Sequence, residues 1–198
     1  MTAGQLLPAS FYQRDVVEVA RALLGKRLVR RLDGTRLSGY IIEAEAYRGE
    51  EDLACHARVG RTERTAVMYG PPGRAYVYFT YGMHWMLNCV CMEEGYPAAV
   101  LLRAIKIDEG REAIGSRRGG QPEARWCDGP AKLTQGLGID KRLNGAALDN
   151  QGSGLWIEEG VEITDRNINA TARIGLGNTP EPWLSMPWRF LTFLPDLK

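Results

Sequence analysis

One run of nine residues, Gly39-Tyr40-Ile41-Ile42-Glu43-Ala44-Glu45-Ala46-Tyr47, constrains this chain more than any other. It is β-like, yet it carries two acids where a buried strand carries none. Side chains alternate between faces along a strand. Tyr40, Ile42, Ala44 and Ala46 are therefore expected to face the core, and Ile41, Glu43, Glu45 and Tyr47 to share the opposite face. Two carboxylates about 7 Å apart beside an aromatic ring are costly to bury unless they are used. The second face reads either as the solvated side of an edge strand or as the wall of a cleft. His56, one of two histidines, and an aromatic-rich segment from Gly73 to Cys91 favour the cleft.

The flanking sequence supplies a scaffold for that strand. Asp15 is placed to cap a helix over Val16 to Leu24, which Gly25 stops. Leu28 to Leu32 and Leu37 to Ala46 flank the turn signal Asp33-Gly34, so a hairpin delivers Glu45. From Gly49 to Arg64 no period is evident, and this stretch is expected to be a site-forming loop. Arg74 to Thr80 alternates as a strand, with Tyr76, Tyr78 and Thr80 on one side and Val77 and Phe79 on the other. Trp85 to Cys91 returns antiparallel, leaving Tyr81 at the tip. Ala98 to Ile105 reads as a further strand, Asp108 to Gly119 as a weak helix, and Pro130 as the start of another. Leu155 to Ile157 and Val161 to Ile163 read as a hairpin, with Ile174, Trp188, Phe190 and Phe193 in late core strands. The expectation is α+β: a single domain over residues 1–198, with a curved, mostly antiparallel, partly open barrel-like sheet and peripheral helices.

Composition narrows the classes. A formal net charge of +1 does not by itself announce a polyanion partner, although arginines cluster at Arg58, Arg61 and Arg64 and at Arg117 and Arg118. The four cysteines lack C-x-x-C spacing, and no apolar segment with a cleavage site opens the chain. A reduced, cytoplasmic, soluble protein without metal or organic cofactor is expected. The longest apolar run, Ala98 to Leu102, is too short to span a bilayer.

Six motifs stand in order: E-A-E-A-Y ending at Tyr47, then His56, G-P-P-G-R-A-Y-V-Y-F-T-Y-G-M-H from Gly70, L-N ending at Asn88, V-L-L-R-A through Arg103, and G-P-A-K-L through Lys132. Together they resemble the alkyladenine (3-methyladenine) DNA glycosylase family in its compact bacterial form. The resemblance implies a monofunctional enzyme that flips damaged purines from duplex DNA and hydrolyses the N-glycosidic bond. It implies Glu45 as general base, with Arg103 and a main-chain group near Ile174 orienting the water. Tyr47 and Tyr78 would stack on the base, and His56 and Asn88 would read its edge. Tyr81, flanked by Met83, would wedge into the duplex, while Arg61 and Lys132 contact phosphates. The implied partner is double-stranded DNA holding damaged purines such as 3-methyladenine, 7-methylguanine, hypoxanthine or ethenoadenine. The implied enzyme is a monomer that acts without a membrane on the bacterial nucleoid. Glu63 stands where the family pattern has proline. Two other classes fit parts of the sequence: a non-catalytic nucleic-acid-binding module of similar fold, and a sugar hydrolase using Glu43 and Glu45 as a carboxylate pair.

Overall fold

A computed structural model describes residues 4–195. Its centre is an antiparallel sheet built from β1 (Arg27–Leu32), β2 (Thr35–Arg48), β3 (Ala75–Thr80), β4 (His84–Val90), β5 (Ala98–Glu109), β6 (Leu155–Glu158), β7 (Ile168–Thr171) and β8 (Arg189–Thr192). The path runs β3-β4-β5-β2-β1-β6 without closing, and β8 joins β2 to β7. Four helices flank it: α1 (Ala9–Tyr12), α2 (Val16–Ala22), α3 (Arg111–Arg118) and α4 (Pro130–Leu137). The α+β reading with a mostly antiparallel open sheet holds.

Strand β2 is long because it serves two neighbours on one edge. Its first half pairs with β1 and its second half with β8, while β5 runs along the other edge. Where the neighbour changes, the β2–β5 register breaks twice, passing over Ile42 on β2 and Arg103 on β5. Each is a bulged residue, and bulges re-aim side chains. Simple alternation therefore fails for Ile41, expected in the cleft but buried in the core. The core positions are Leu37 and Ile41 before the break and Ala44 and Ala46 after it. Strand β5 makes the same switch, from Val100 and Leu102 to Ile105 and Ile107. Beyond the break Glu45 and Tyr47 lie opposite the core face, as alternation expects, and the bulged Arg103 reaches Glu45.

Asp15 caps α2 through its carboxylate and the Val17 N–H at 2.9 Å, and Val16, Val19 and Ala20 bury its inner face. Three other expectations need correction. Strand β5 continues through Glu109, because it pairs with β2 as far as Ser38, so the following helix starts at Arg111 rather than Asp108. Val161 to Ile163 form no strand. Leu155–Glu158 pairs with β1 instead, and the Val161 N–H donates to the Gly25 carbonyl. Ile174 lies in a loop and is half exposed, and Phe193 is exposed. Phe190 is the buried residue of that group. The stretch from Gly49 to Arg64 contains a 3₁₀ turn at His56–Val59, and a second follows at Ala66–Tyr69.

Candidate active site

A pocket of about 400 Å³ opens on the face of the sheet opposite α2, within the ordinary range for small-molecule sites of roughly 300–1,000 Å³. Strand β2 contributes Tyr47 and β5 contributes Ala99, Leu101 and Arg103. The β3–β4 hairpin supplies Tyr78 and Asn88, and the loops supply His56 and Ile174. Ala99 and Leu101 were not expected at the site; the other six are sequence-predicted residues and come together there with Tyr81. Met83, Arg61 and Lys132 do not line the pocket.

Glu45 lies behind the wall, fully buried. Its Oε1 accepts the Ile174 backbone N–H at 2.8 Å, and its Oε2 accepts the Tyr47 hydroxyl at 2.9 Å and Arg103 Nη1 at 3.2 Å. A carboxylate has about four lone-pair sites, so one on Oε1 is left for a further donor such as water. Burial lowers the proton affinity of the Arg103 guanidinium, but Glu45 and Glu43 more than reverse this and hold it above its ordinary value. Burial, reinforced by Glu45, raises the Tyr47 phenol well above its usual range, so it remains a donor.

Glu43 does not face the pocket as a second acid. Its Oε1 accepts Arg103 Nε at 2.8 Å and Arg189 Nε at 2.7 Å. It holds Arg103 in place, so Glu43 and Glu45 do not face one cleft as the carboxylate pair that a sugar hydrolase needs.

The aromatic walls are braced. The His56 ring meets Tyr78 edge-on at 4.5 Å, and its Nδ1 lies 3.1 Å from the Tyr76 hydroxyl. Asn88 is buried and donates from Nδ2 to the Tyr76 carbonyl at 3.0 Å. Burial, then Arg64 and Arg58, lower the His56 pKa from 6.5 to about 4, so the folded ring stays neutral where the unfolded one protonates. A group with a lowered folded pKa that must lose a proton to fold costs stability as pH falls from about 6.5 towards 4. We expect His56→Gln to flatten the stability profile in that window, measured by urea unfolding at pH 7 and pH 5. Equal loss of stability in wild type and variant would contradict this placement.

Tyr81 sits at a turn where it and Gly82 both take positive φ, +53° and +66°. An L-residue in that region costs roughly 1 kcal/mol or more, and the ring is 79% exposed. Met83 beside it is exposed too. Strain and an unburied ring together bring no internal gain, which fits a tip built for an external contact. Arg61 lies over the Tyr69 ring on the surface. Lys132 Nζ donates to Asp128 at 2.7 Å, so its charge is already matched at the start of α4.

The buried pair Arg173 and Asp52 escaped the sequence reading. Arg173 Nη1 donates to Asp52 Oδ2 and, at 2.9 Å, to the Ala46 carbonyl; Nη2 donates to Asp52 Oδ1 at 3.0 Å and to the Trp183 carbonyl at 3.2 Å. Asp52 also accepts the Arg48 and Ala54 N–H groups. The guanidinium lies 4.8 Å from the Tyr47 ring centre and 5.1 Å from that of Trp188. Arg173 thereby fixes the chain between Glu45 and Tyr47, backs the Tyr47 ring, and precedes the residue whose N–H holds Glu45. The last of three consecutive acids in a polar loop and an arginine more than a hundred residues later carry no local signal of this contact.

The sequence matches the family described as Methylpurine-DNA glycosylase (MPG) over residues 10–193. Three curated relatives each bear the name "Putative 3-methyladenine DNA glycosylase". One from Carboxydothermus hydrogenoformans is 48% identical over 93% of this chain and 94% of its own length. One from Methanocella arvoryzae is 47% identical over 93% and 91%. One from Bacillus subtilis is 42% identical over 93% and 91%.

Proposed function

The chain belongs to the methylpurine-DNA glycosylase family, and from that premise we propose that it repairs DNA by hydrolysing the N-glycosidic bond of a modified purine rotated out of the duplex. The observation that carries this reading is the buried Glu45 carboxylate, held by Ile174, Tyr47 and Arg103 against a pocket walled by aromatic rings. An enzyme acting on a base must take it out of the stack, because the reacting bond is otherwise inaccessible. The product is an abasic site.

Each step has a residue. Tyr47 and Tyr78 receive the faces of the flat base, whose stacking tolerates many ring modifications. His56 opens a 3₁₀ turn, where backbone N–H groups lack partners within the turn and can donate to an acceptor on the purine edge. Tyr81 fills the gap left in the duplex, with Met83 beside it, so lost base stacking is offset. Water on the free lone pair of Glu45 Oε1 attacks the anomeric carbon as positive charge develops on the sugar. Arg61 and Lys132 position the duplex through phosphates, Lys132 by exchanging Asp128 for a stronger anion.

The test is a panel of duplex oligonucleotides holding 3-methyladenine, 7-methylguanine, hypoxanthine or ethenoadenine, with alkali revealing abasic sites. Cleavage at one or more lesions and none at undamaged purines is expected. No cleavage at any lesion by folded protein sinks the reading.

Asn88 carries a selectivity prediction. Its Nδ2 is tied to Tyr76, so the side chain stands rigidly in the pocket. It occupies the space that the 2-amino group of guanine needs. Leaving that amino group clashing or unpaired costs a few kcal/mol, about 1–3. Asn88→Ala is expected to raise excision of guanine-derived bases relative to hypoxanthine in competition assays. An unchanged ratio assigns Asn88 to bracing Tyr76 alone.

A further inference from the structure

The pocket's paired charges cancel. Arg103 and Arg189 face Glu43 and Glu45, and Arg173 faces Asp52. Two arginines on one side do not cancel. Arg58 lines the pocket and donates to the Leu53 carbonyl at 2.9 Å. Arg64 is exposed and has no carboxylate partner among the described residues. Its guanidinium carbon lies 5.0 Å from the centre of the Tyr78 ring. Tyr78 lines the pocket and Arg64 does not.

We propose that Arg64, seated on Tyr78 outside the pocket, sets the lesion class that this site prefers, disfavouring purines with a fixed positive charge and favouring neutral modified purines. The proposal rests on the glycosylase reading above. A ring attracts a cation through the negative charge of its π face. A guanidinium already over the ring draws that density towards itself, leaving less for a cationic base stacked on it. Direct repulsion adds to this, at a range comparable with the screening length of about 10 Å. Neutral bases lose neither term, and their dispersion contacts with the ring are unaffected. His56 gauges the same field: after burial, Arg64 is the largest cause that lowers its pKa to about 4. A wall that refuses a proton on His56 also resists a formally charged base lying against it.

The geometry has one competing use, since an exposed arginine near a DNA-binding mouth can contact a phosphate. Such a contact positions the duplex without regard to the charge of the flipped base. The two roles separate in a ratio. Single-turnover excision is measured for 7-methylguanine, which carries a fixed charge, and for hypoxanthine, which does not, in otherwise identical duplexes. Arg64 also donates to the Tyr76 hydroxyl. Wild type is compared with Arg64→Gln, which keeps a donor there, and with Arg64→Lys, which keeps the charge. The side chain is exposed, so both variants should fold, and thermal melting checks this.

The expected result is that Arg64→Gln raises the 7-methylguanine to hypoxanthine ratio about fivefold, while Arg64→Lys stays within about twofold of wild type. An unchanged ratio overturns the proposal. If both rates also fall together and the salt slope flattens by about one, Arg64 is a phosphate contact. If wild type releases neither base, nor any other lesion of the panel, the glycosylase reading falls and takes the proposal with it. Release of both bases at a fixed ratio removes the proposal alone.

Discussion

Glu45→Gln is expected to leave binding to lesion-containing duplex intact and to lower single-turnover base release by about 10²–10⁴-fold, the usual contribution of a general base. The amide keeps the volume of the carboxylate and can still accept one set of its hydrogen bonds. What it loses is basicity towards the attacking water and the negative charge opposite the developing cation of the sugar. Glu43→Gln should cost less, because Glu43 acts through Arg103 and Arg189 and touches no reacting atom. If excision by the Glu45 variant stayed within about threefold of wild type, the base would lie elsewhere.

Arg173→Met should have the second largest effect, on stability and on chemistry together. Both side chains of the Arg173–Asp52 pair are fully buried. Removing one partner strands the other charge, which typically costs about 3–5 kcal/mol. For a chain of this size that lowers the melting temperature by roughly 6–20 °C. At temperatures where the variant is still folded, excision is expected to fall by about 10²-fold, because a small displacement of a catalytic group is enough for such a loss. Lesion affinity should change far less, since Arg173 does not line the pocket. Wild-type excision by a folded but less stable Arg173→Met would make the pair purely structural. Asp52→Asn, which keeps shape but removes the other charge, should mirror the loss.

Local signals in the sequence reached far but stopped at tertiary events. The Asp15 cap, the Asp33-Gly34 turn and the alternation of Tyr76, Val77 and Tyr78 depend on neighbours in the chain, and all are realised. The paired register breaks at Ile42 and Arg103 depend on which strand lies alongside β2 at each point, and no two-residue period records that. They move Ile41 into the core, yet they leave Glu45 and Tyr47 where alternation put them, because the break lies before both. Val161 looked like a strand because it is β-branched and flanked by turn residues. Its backbone N–H is taken by Gly25, and β6 is met by β1 on one edge and by the chain at Leu6 and Leu7 on the other. At the site, residues inside distinctive motifs were legible, whereas Ile174, whose N–H reaches Glu45, lies in none of the six motifs and was indicated by the family resemblance alone. Asp52, Arg173 and Glu43's double arginine clasp were not, since their meaning lies in contacts between segments far apart in the chain.

The central claim is hydrolysis at the anomeric carbon by a water held on Glu45, and one product analysis tests it directly. Wild-type protein is incubated with a hypoxanthine-containing duplex, with borohydride added to a parallel sample. The account predicts free hypoxanthine, an intact strand until alkali is added, and no protein trapped on DNA, because among the described residues no lysine is placed beside Glu45 as an amine nucleophile. Strand scission without alkali, together with a borohydride-trapped protein–DNA adduct, would contradict it.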